Sequence, residues 1–267
     1  YTLKIDPSIV LDERPTAHQY IYLTVVGGNP NILTALFNSG IDSQSVRNKN
    51  DDFISKCIAC RSVECLKILM ENSKFEKKFN FGEESIQMKT IIANQPEALI
   101  LLSNNPQDLK FINNQGESAF SVACFFGLSF KNSILHMLRI MRNTPIEPPD
   151  SINCKGVCHW ACQMGDVEVA IKMLETPGVK INRLDSKGCP GIFELTNKDI
   201  KKSDEDRVIE LIRQLLYHGF NINIRCRKTN DIFPTESVLE KFCMCIKPNL
   251  KIVKFLLDSG ADAHALR

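Results

Sequence analysis

The sequence predicts an all-α fold: a solenoid of stacked helix–turn–helix units joined by β-turn finger loops. An amphipathic stretch that closes on a glycine or polar turn residue recurs at intervals of about 32 to 41 residues. A shorter apolar stretch with small residues in its middle precedes it, and Asn/Asp-x-x-Gly turns precede several of these short stretches. Because one unit cannot bury its own apolar stripe, such units must stack on their neighbours.

The longer stretches predict the second helix of each unit. In NLKIVKFLLDSGAD, at 249–262, the apolar residues Ile252, Val253, Leu256 and Leu257 form one helical stripe and do not alternate as in a strand. Related stretches lie at 29–42, 62–73, 95–105, 166–182 and 207–223, with another before Asn143. They close at Gly40, Ser73, Asn105, Gly178, Gly219 and Gly260, and glycine suits the left-handed residue that often ends a helix.

The shorter stretches predict the first helix of each unit. The clearest are FSVACFFG at 120–127 and HWACQMG at 159–165, and IYLTVVGG and FCMCIKP have the same form at 21–28 and 242–248. Small residues in their middle let this helix lie close to its neighbours, and Gly127 and Gly165 end the two clearest examples. The turns NNQG, NCKG and DSKG, at 113–116, 153–156 and 185–188, have the residues of tight turns at their ends.

This order of turn, short helix, glycine and longer helix, at a period near 33 residues, resembles the ankyrin repeat over nearly the whole chain. Gly260–Ala261–Asp262 is similar to the family's usual repeat ending. Ser118–Ala119–Phe120–Ser121 stands where the family usually has Thr-Pro-Leu-His, and no copy keeps that motif intact. The resemblance implies an ankyrin-repeat solenoid of about seven divergent copies.

We expect residues 1–14 to be a lead-in that covers the first copy, and residues 15–267 to be a single domain. The copies are expected at 15–43, 49–78, 82–108, 113–146, 152–182, 184–223 and 230–265. The fourth carries extra residues near Phe130 and at 144–150, and the fifth is short by about two residues. In the sixth, the mixed-charge insertion NKDIKKSDEDR at 197–207 predicts a solvated loop.

Composition and motifs argue against several classes of function. The chain has 267 residues, 43% of them hydrophobic, and a net charge of +2, which gives no reason to expect nucleic acid. No apolar run reaches the roughly 18 residues of a membrane span. Neither a phosphate-binding glycine loop nor a nucleophile motif beside the five histidines occurs. We therefore expect a protein that is not an enzyme, with no cofactor, small-molecule substrate or membrane insertion.

The eleven cysteines are an odd number and fall within apolar helical patterns, which favours reduced, buried thiols in an intracellular, cytoplasmic or nuclear protein. The pair Cys57 and Cys60, and CKGVCHWAC at 154–162, contain the ligand types of zinc, so a metal site or redox pair is the alternative. We favour packing and expect no metal. The resemblance gives His159 the place of a family histidine that bonds turn backbone across copies, and Trp160 a packing role.

The ankyrin resemblance implies that a protein partner is bound on the concave side, by turn tips and by exposed positions of the short helices. The corresponding tip residues are Asn114, Gln115, Glu117, Cys154, Lys155, Ser186 and Lys187. The corresponding short-helix residues are Phe125, Phe126, Gln163 and Met164.

Phe125 and Phe126 are the most distinctive of these residues, because adjacent exposed phenylalanines form an apolar contact patch. The alternative is that both rings pack against the extra residues at 144–150. The sequence predicts a non-catalytic scaffold or a regulatory or inhibitory subunit. The alternative functions are a recruiting region of a larger multidomain enzyme or channel and, by analogy, an inhibitor of Rel-type transcription factors.

Overall fold

The computed structural model describes residues 16–40, 53–71, 80–81, 84–146, 154–197, 200–226, 236–245 and 247–265. The expected lead-in at 1–14 lies outside these residues. The contacts group the chain into two compact units, Tyr1–Leu102 and Ser103–Arg267. Within the described part of the chain, no helix has both the length and the apolar character needed to cross a membrane.

The first unit contains three antiparallel helix pairs and a short hairpin. The helices are α1 Thr16–Val26, α2 Pro30–Asn38, α3 Phe53–Ala59, α4 Val63–Glu71, α5 Ile86–Ile92 and α6 Pro96–Leu102. The strands β1 Asn80–Phe81 and β2 Glu84–Ser85 pair antiparallel immediately before α5. The first helices of the three pairs, α1, α3 and α5, stack on one another, and the second helices, α2, α4 and α6, do the same. Within this unit, the apolar stripes of the first two copies are thus covered by the copy that follows, as the repeat predicts.

The core of the first unit follows the predicted helical spacing. Leu33 and Leu36 of α2, and Leu66 and Leu69 of α4, are almost completely buried. Gln95, which is also buried, donates from its side-chain amide to the carbonyl of Ile58 in the preceding copy. The second and third copies are therefore held by apolar packing together with this hydrogen bond to the backbone of the neighbouring copy.

The second unit contains four further copies. Its helices are α7 Ala119–Phe126, α8 Lys131–Ile140, α9 Val157–Met164, α10 Val167–Leu174, α11 Glu205–Tyr217, α12 Val238–Cys243 and α13 Leu250–Asp258. Short 3-10 helices lie at Asp108–Lys110, Gly127–Phe130, Gly191–Asn197, Lys202–Asp204 and Ala263–Ala265. The longer helices contact one another in the order α8, α10, α11, α13. The all-α repeat architecture expected from the sequence is confirmed.

Polar side chains fix where the helices of this unit begin. Asp166 accepts at 3.1 Å from the backbone N–H of Val169, and Asn249 starts α13 in the same way. Ser237 and Glu240 form a capping box at the start of α12, with Ser237 Oγ accepting at 3.2 Å from the N–H of Glu240. Such caps satisfy backbone donors that have no partner inside the helix.

The turn between the two helices of a copy has a left-handed residue at a fixed place. Positive φ recurs at Gly28, Arg61, Asn94 and Gly127, at an interval of 33 residues. The glycines predicted to close the long helices, Gly40, Gly178, Gly219 and Gly260, also have positive φ. Arg61 and Asn94 therefore hold a conformation that costs an L-residue free energy relative to glycine.

The sixth copy departs from the prediction in two places. Its first helix is the 3-10 helix Gly191–Asn197, which begins directly after Pro190. The insertion at 197–207 is not simply a solvated loop, because Lys202–Asp204 forms a 3-10 helix and α11 begins at Glu205. Glu205 accepts at 2.7 Å from the side-chain amide of Asn249, and Lys251 pairs with Asp206 at 2.6 Å. These bonds join the end of the insertion to the seventh copy.

Candidate functional site

The finger of the fourth copy is a tight turn closed at its base by a bridge between Ile112 and Ser118. The side chain of Asn113 accepts from the backbone N–H groups of Gln115 at 3.0 Å and Glu117 at 2.8 Å. This leaves Asn114 and Gln115 exposed at the tip, as predicted, whereas Glu117 is half-buried and accepts from the Asn113 amide. The tip is thus held rigidly enough to present two polar side chains.

The finger of the sixth copy has the same geometry. Asp185 takes the place of Asn113 and accepts from the N–H groups of Lys187 at 2.9 Å and Cys189 at 2.8 Å. Ser186 and Lys187 are exposed at its tip. Two fingers of one design therefore carry different chemistry, because the first offers amides and the second a hydroxyl and a cation.

The shortened finger of the fifth copy is different. Cys154 has φ of +49° and is half-buried, and its carbonyl accepts at 2.9 Å from the side chain of Arg183. Lys155 pairs with Glu194 of the next copy at 2.6 Å and donates at 3.4 Å to Gln163. Lys155 and Gln163 are thus brought together, but as part of a network between copies.

His159 links two copies through both of its ring nitrogens. Nδ1 accepts at 3.2 Å from the N–H of Gly156, which requires the proton to sit on Nε2 and to be donated to the Cys189 carbonyl at 3.0 Å. Burial lowers the pKa of His159 below its usual value, which favours this neutral form. The predicted role as a bridge between turn backbones is confirmed.

Phe125, Phe126 and Leu128 form a set of large apolar side chains in contact with water, hereafter the apolar patch. Their exposed fractions are 73%, 43% and 53%. The rings of Phe125 and Phe126 meet edge to face with centroids 6.0 Å apart, and Phe126 meets the fully buried Phe130 in the same way. Phe130 anchors the patch in the core, so the prediction that Phe125 and Phe126 are exposed is confirmed.

The prediction of exposure is wrong for one of the expected contact residues. Met164 was expected to be exposed, but only 4% of its surface is accessible. The helix that carries it, α9, packs against α7 of the preceding copy and the 3-10 helix Gly191–Asn197 of the next, which leaves little room for water. Gln163, the neighbouring residue on α9, is half-buried.

The structure also shows functional candidates that the sequence did not indicate. Leu128 completes the apolar patch, and Met244 is 72% exposed. Cys243, expected as a buried thiol, is exposed together with Met244 at the end of α12. Met244 follows its cap Ser237 by the same number of residues as Phe125 follows Ser118, and this spacing was the available signal.

All eleven cysteines are free thiols. Cys57, Cys65, Cys158 and Cys162 are buried, as the packing interpretation predicts, and Trp160 is buried with its ring 5.7 Å from that of Phe120. Cys60, the second member of the Cys-x-x-Cys pair, is exposed. Among the described residues no group of three or more His, Cys, Asp or Glu side chains is arranged to hold a metal ion.

Gly191 allows the sixth copy to approach the fifth closely. A Cβ atom built on this residue would lie 2.7 Å from the backbone carbonyl carbon of Cys158 and 2.7 Å from the nitrogen of His159. The absence of a side chain therefore lets the 3-10 helix Gly191–Asn197 lie directly on α9. This close approach brings the Cys189 carbonyl within reach of His159.

No protein-family model matches this sequence, and no curated protein matches it either. Several solved structures, in contrast, are similar to this chain. The ankyrin repeat domain of Bcl-3, described as a unique member of the IkappaB family, superposes with a TM-score of 0.59 at 14% identity, over 89% of this chain and 97% of that one. An ankyrin repeat domain from Acinetobacter baumannii AYE gives 0.57 at 17% identity, over 78% and 98%. The human ASB11 ankyrin repeat domain gives 0.57 at 16% identity, over 91% and 99%.

The repeated helix pairs, the capped fingers and these likenesses together define the chain as having the ankyrin-repeat fold. Domains of this fold are in general protein–protein interaction modules. The likenesses concern the fold, since all three identities lie below 20%.

Proposed function

We propose that this chain is a non-catalytic protein-interaction module, a scaffold or a regulatory subunit, that binds a protein partner through the fingers and short helices of copies four to six. The observation that carries the proposal is the exposure of the apolar patch, above all of Phe125. Aromatic side chains, phenylalanine among them, are enriched at protein interfaces relative to the rest of the surface. The eleven free thiols support an intracellular site of action.

The polar residues around this surface support the same proposal. The exposed tips of the fourth and sixth fingers carry Asn114, Gln115, Ser186 and Lys187. Protein interfaces commonly combine a dry apolar centre with a polar rim of this kind. In this arrangement the apolar patch supplies affinity, and the tips supply the orientation of the partner.

A single module of this kind serves equally as a free regulator or as the recruiting region of a larger enzyme or channel. The likeness to Bcl-3 does not select the Rel-type alternative, because at 14% identity it reflects the shared fold. The proposal therefore concerns the surface and its occupant, a protein, and extends to either setting.

The test uses Phe125→Ala, with Tyr217→Ala as its matched control. Tyr217 is 83% exposed at the end of the long helix α11, away from the short-helix positions that carry the patch. We expect Phe125→Ala to weaken binding of captured partner by about 1–3 kcal/mol with little change in stability, since an exposed ring contributes little to the core. Affinity is measured by titration and stability by thermal unfolding.

A photo-reactive phenylalanine analogue placed at position 125 should also cross-link to the partner, whereas the same analogue at position 217 should not. Equal loss of binding in both alanine variants, or equal cross-linking from both positions, would contradict the proposed surface. A fall in melting temperature for Phe125→Ala as large as that of a core substitution would place this ring in a packing role instead.

A further inference from the structure

Two thiols from successive copies lie in contact. The Sγ atoms of Cys189, at the base of the sixth finger, and Cys226, next to the bridge from Arg225 to Ser237 of the seventh copy, are 3.0 Å apart. Both also lie near the carbonyl oxygen of Lys187, at 3.9 and 4.0 Å. Among the described residues, this is the one hydrogen bond that joins thiols of two different copies.

The backbone on both sides of this contact is held in place. Cys189 donates its N–H to Asp185 at 2.8 Å and accepts from His159 at 3.0 Å. Cys226 donates its N–H to the carbonyl of Glu236 at 2.8 Å, next to the bridge between Arg225 and Ser237. The sulfur atoms therefore meet because the fold positions both residues, and no covalent bond joins them.

We propose that Cys189 and Cys226 are a modification site, a pair that forms a reversible disulfide joining the sixth finger to the seventh copy when the chain meets a peroxide. A disulfide has an S–S length of about 2.05 Å, so the two sulfurs need to close by about 1 Å, which is within reach of small side-chain rotations. The buried pair Cys158 and Cys162 lies on one helix, α9, and is shielded from solvent.

The chemistry balances with hydrogen peroxide as the oxidant. The Cys189 thiolate attacks one peroxide oxygen, the O–O bond breaks, and a sulfenic acid and one water are formed. The Cys226 sulfur then attacks the sulfenic sulfur, the S–O bond breaks, and a second water leaves with the disulfide. Two thiols lose two electrons and two protons, and the peroxide is reduced to two waters.

The order of these steps follows from exposure. Cys189 is half-buried and reaches solvent, whereas Cys226 is buried. Burial and the neighbouring Cys226 thiol raise the pKa of Cys189 to about 12, so little thiolate is present at neutral pH. The reaction is consequently slow, and its rate should rise about tenfold for each pH unit while the pH stays well below this pKa.

The cross-link would change the surface proposed above. It joins residues 37 positions apart and so restricts the unfolded chain. The tip residues Ser186 and Lys187 lie three and two residues before Cys189, so oxidation would restrain this tip relative to the seventh copy. Oxidation and partner binding would then be linked through the sixth finger.

The experiment exposes the reduced wild-type chain to hydrogen peroxide at pH 7 and pH 8, alkylates free thiols after denaturation, and maps them by mass spectrometry. We expect a peptide pair joined through Cys189 and Cys226, about ten times faster formation at pH 8, and alkylated Cys158 and Cys162. The melting temperature should rise by about 5–15 °C and return after reduction. Mapping uses the wild-type chain, so its result does not depend on the folding of a variant.

Cys189→Ser and Cys226→Ser should each abolish both the linked peptides and the rise in melting temperature, whereas Cys60→Ser, which removes an exposed thiol of the first unit, should keep them. The proposal is overturned if Cys189 is converted to a sulfinic acid or a mixed disulfide while Cys226 remains free. It is also overturned if Cys158 and Cys162 oxidise at the same rate. The proposed partner-binding function stands or falls separately, since its test uses the reduced chain.

Discussion

At the scale of single residues, His159 both joins two copies and has a pKa that folding changes. Its imidazole joins the backbone of the fifth copy to that of the sixth while it is itself buried. The carbonyl of Cys189, Asp185 and Glu194 act to raise its pKa, and Lys155 acts to lower it, yet burial outweighs them and the pKa is lowered. The folded state therefore holds this side chain neutral under conditions in which the unfolded chain is already partly protonated.

This makes the stability of the chain depend on pH. Below the ordinary histidine pKa of about 6.5, the unfolded state binds a proton that the folded state does not, so the free energy of unfolding falls as the pH falls. The loss approaches about 1.4 kcal/mol per pH unit at most. We expect His159→Gln to flatten this dependence between pH 7 and pH 5 and to cost about 1–2 kcal/mol at pH 8 through lost hydrogen bonding. Urea unfolding at several pH values measures both effects.

His264→Gln is the matched control, because His264 is exposed. Its unfolding free energy should change with pH as in the wild type. His136, whose pKa is also lowered by burial and by Arg139, is present in both variants and leaves some pH dependence in each. Parallel curves for His159→Gln and the wild type would show that His159 does not titrate differently in the folded and unfolded states.

At the scale of the helical element, the turn between paired helices shows where the repeat is strained. Arg61 has φ of +56° at a place where Gly28 and Gly127 have the same sign. A Cβ atom disfavours this conformation by about 1–2 kcal/mol, and the greater freedom of glycine in the unfolded chain cancels part of that cost. We expect Arg61→Gly to raise the free energy of unfolding by about 0.5–1 kcal/mol, measured by urea unfolding.

Arg61→Ala separates the backbone effect from loss of the arginine side chain, since alanine retains the Cβ atom. It should leave stability unchanged or lower it. The same gain from alanine as from glycine would show that the side chain, and not the conformation, carries the strain. Asn94→Gly should gain less than Arg61→Gly, because asparagine tolerates positive φ better than most residues.

The sequence predicted burial correctly for helices whose residues have the same neighbours in every copy. The stripe containing Ile252 and Leu256 is buried as predicted, because each long helix lies against another long helix. Exposure of the short helices was predicted less well. Phe125 and Met164 both occupy the end of a short helix, yet one is exposed and the other buried, because Met164 belongs to a helix enclosed on both sides.

At the scale of the whole molecule, the contacts define two units, Tyr1–Leu102 and Ser103–Arg267, and each contains its own stacked copies. In repeat proteins, stability is approximately the sum of each copy and its contacts with its neighbours. A defect in one unit should therefore act mainly on the copies stacked near it. Leu66 in the first unit and Leu215 in the second are equally well buried and permit a matched comparison.

We expect Leu66→Ala to cost about 2–5 kcal/mol and to raise amide hydrogen exchange mainly within residues 53–102. Leu215→Ala should act mainly within residues 157–258, by the same mechanism. Hydrogen exchange followed by mass spectrometry resolves the two regions. Equal increases across the whole chain from either substitution would indicate that all copies open together.

The fold persists at 14–17% identity to the solved ankyrin repeat domains because few positions determine it. The repeat requires apolar residues at helical spacing, a capping side chain and a left-handed turn residue, and many sequences satisfy these requirements. The thiol contact between Cys189 and Cys226 was not predictable in this way. It depends on how Cys189 and Cys226 are placed in three dimensions, and no spacing within one copy reveals that.

Gly191 sets a limit on how this chain can be engineered. Repeat proteins are commonly stabilised by replacing unusual residues with those that occur most often at the same repeat position, and here that substitution would introduce proline from the usual Thr-Pro-Leu-His motif. The space for its ring is already filled by the backbone of Cys158 and His159. Consensus design would thus have to leave this position alone or rebuild the fifth and sixth copies together.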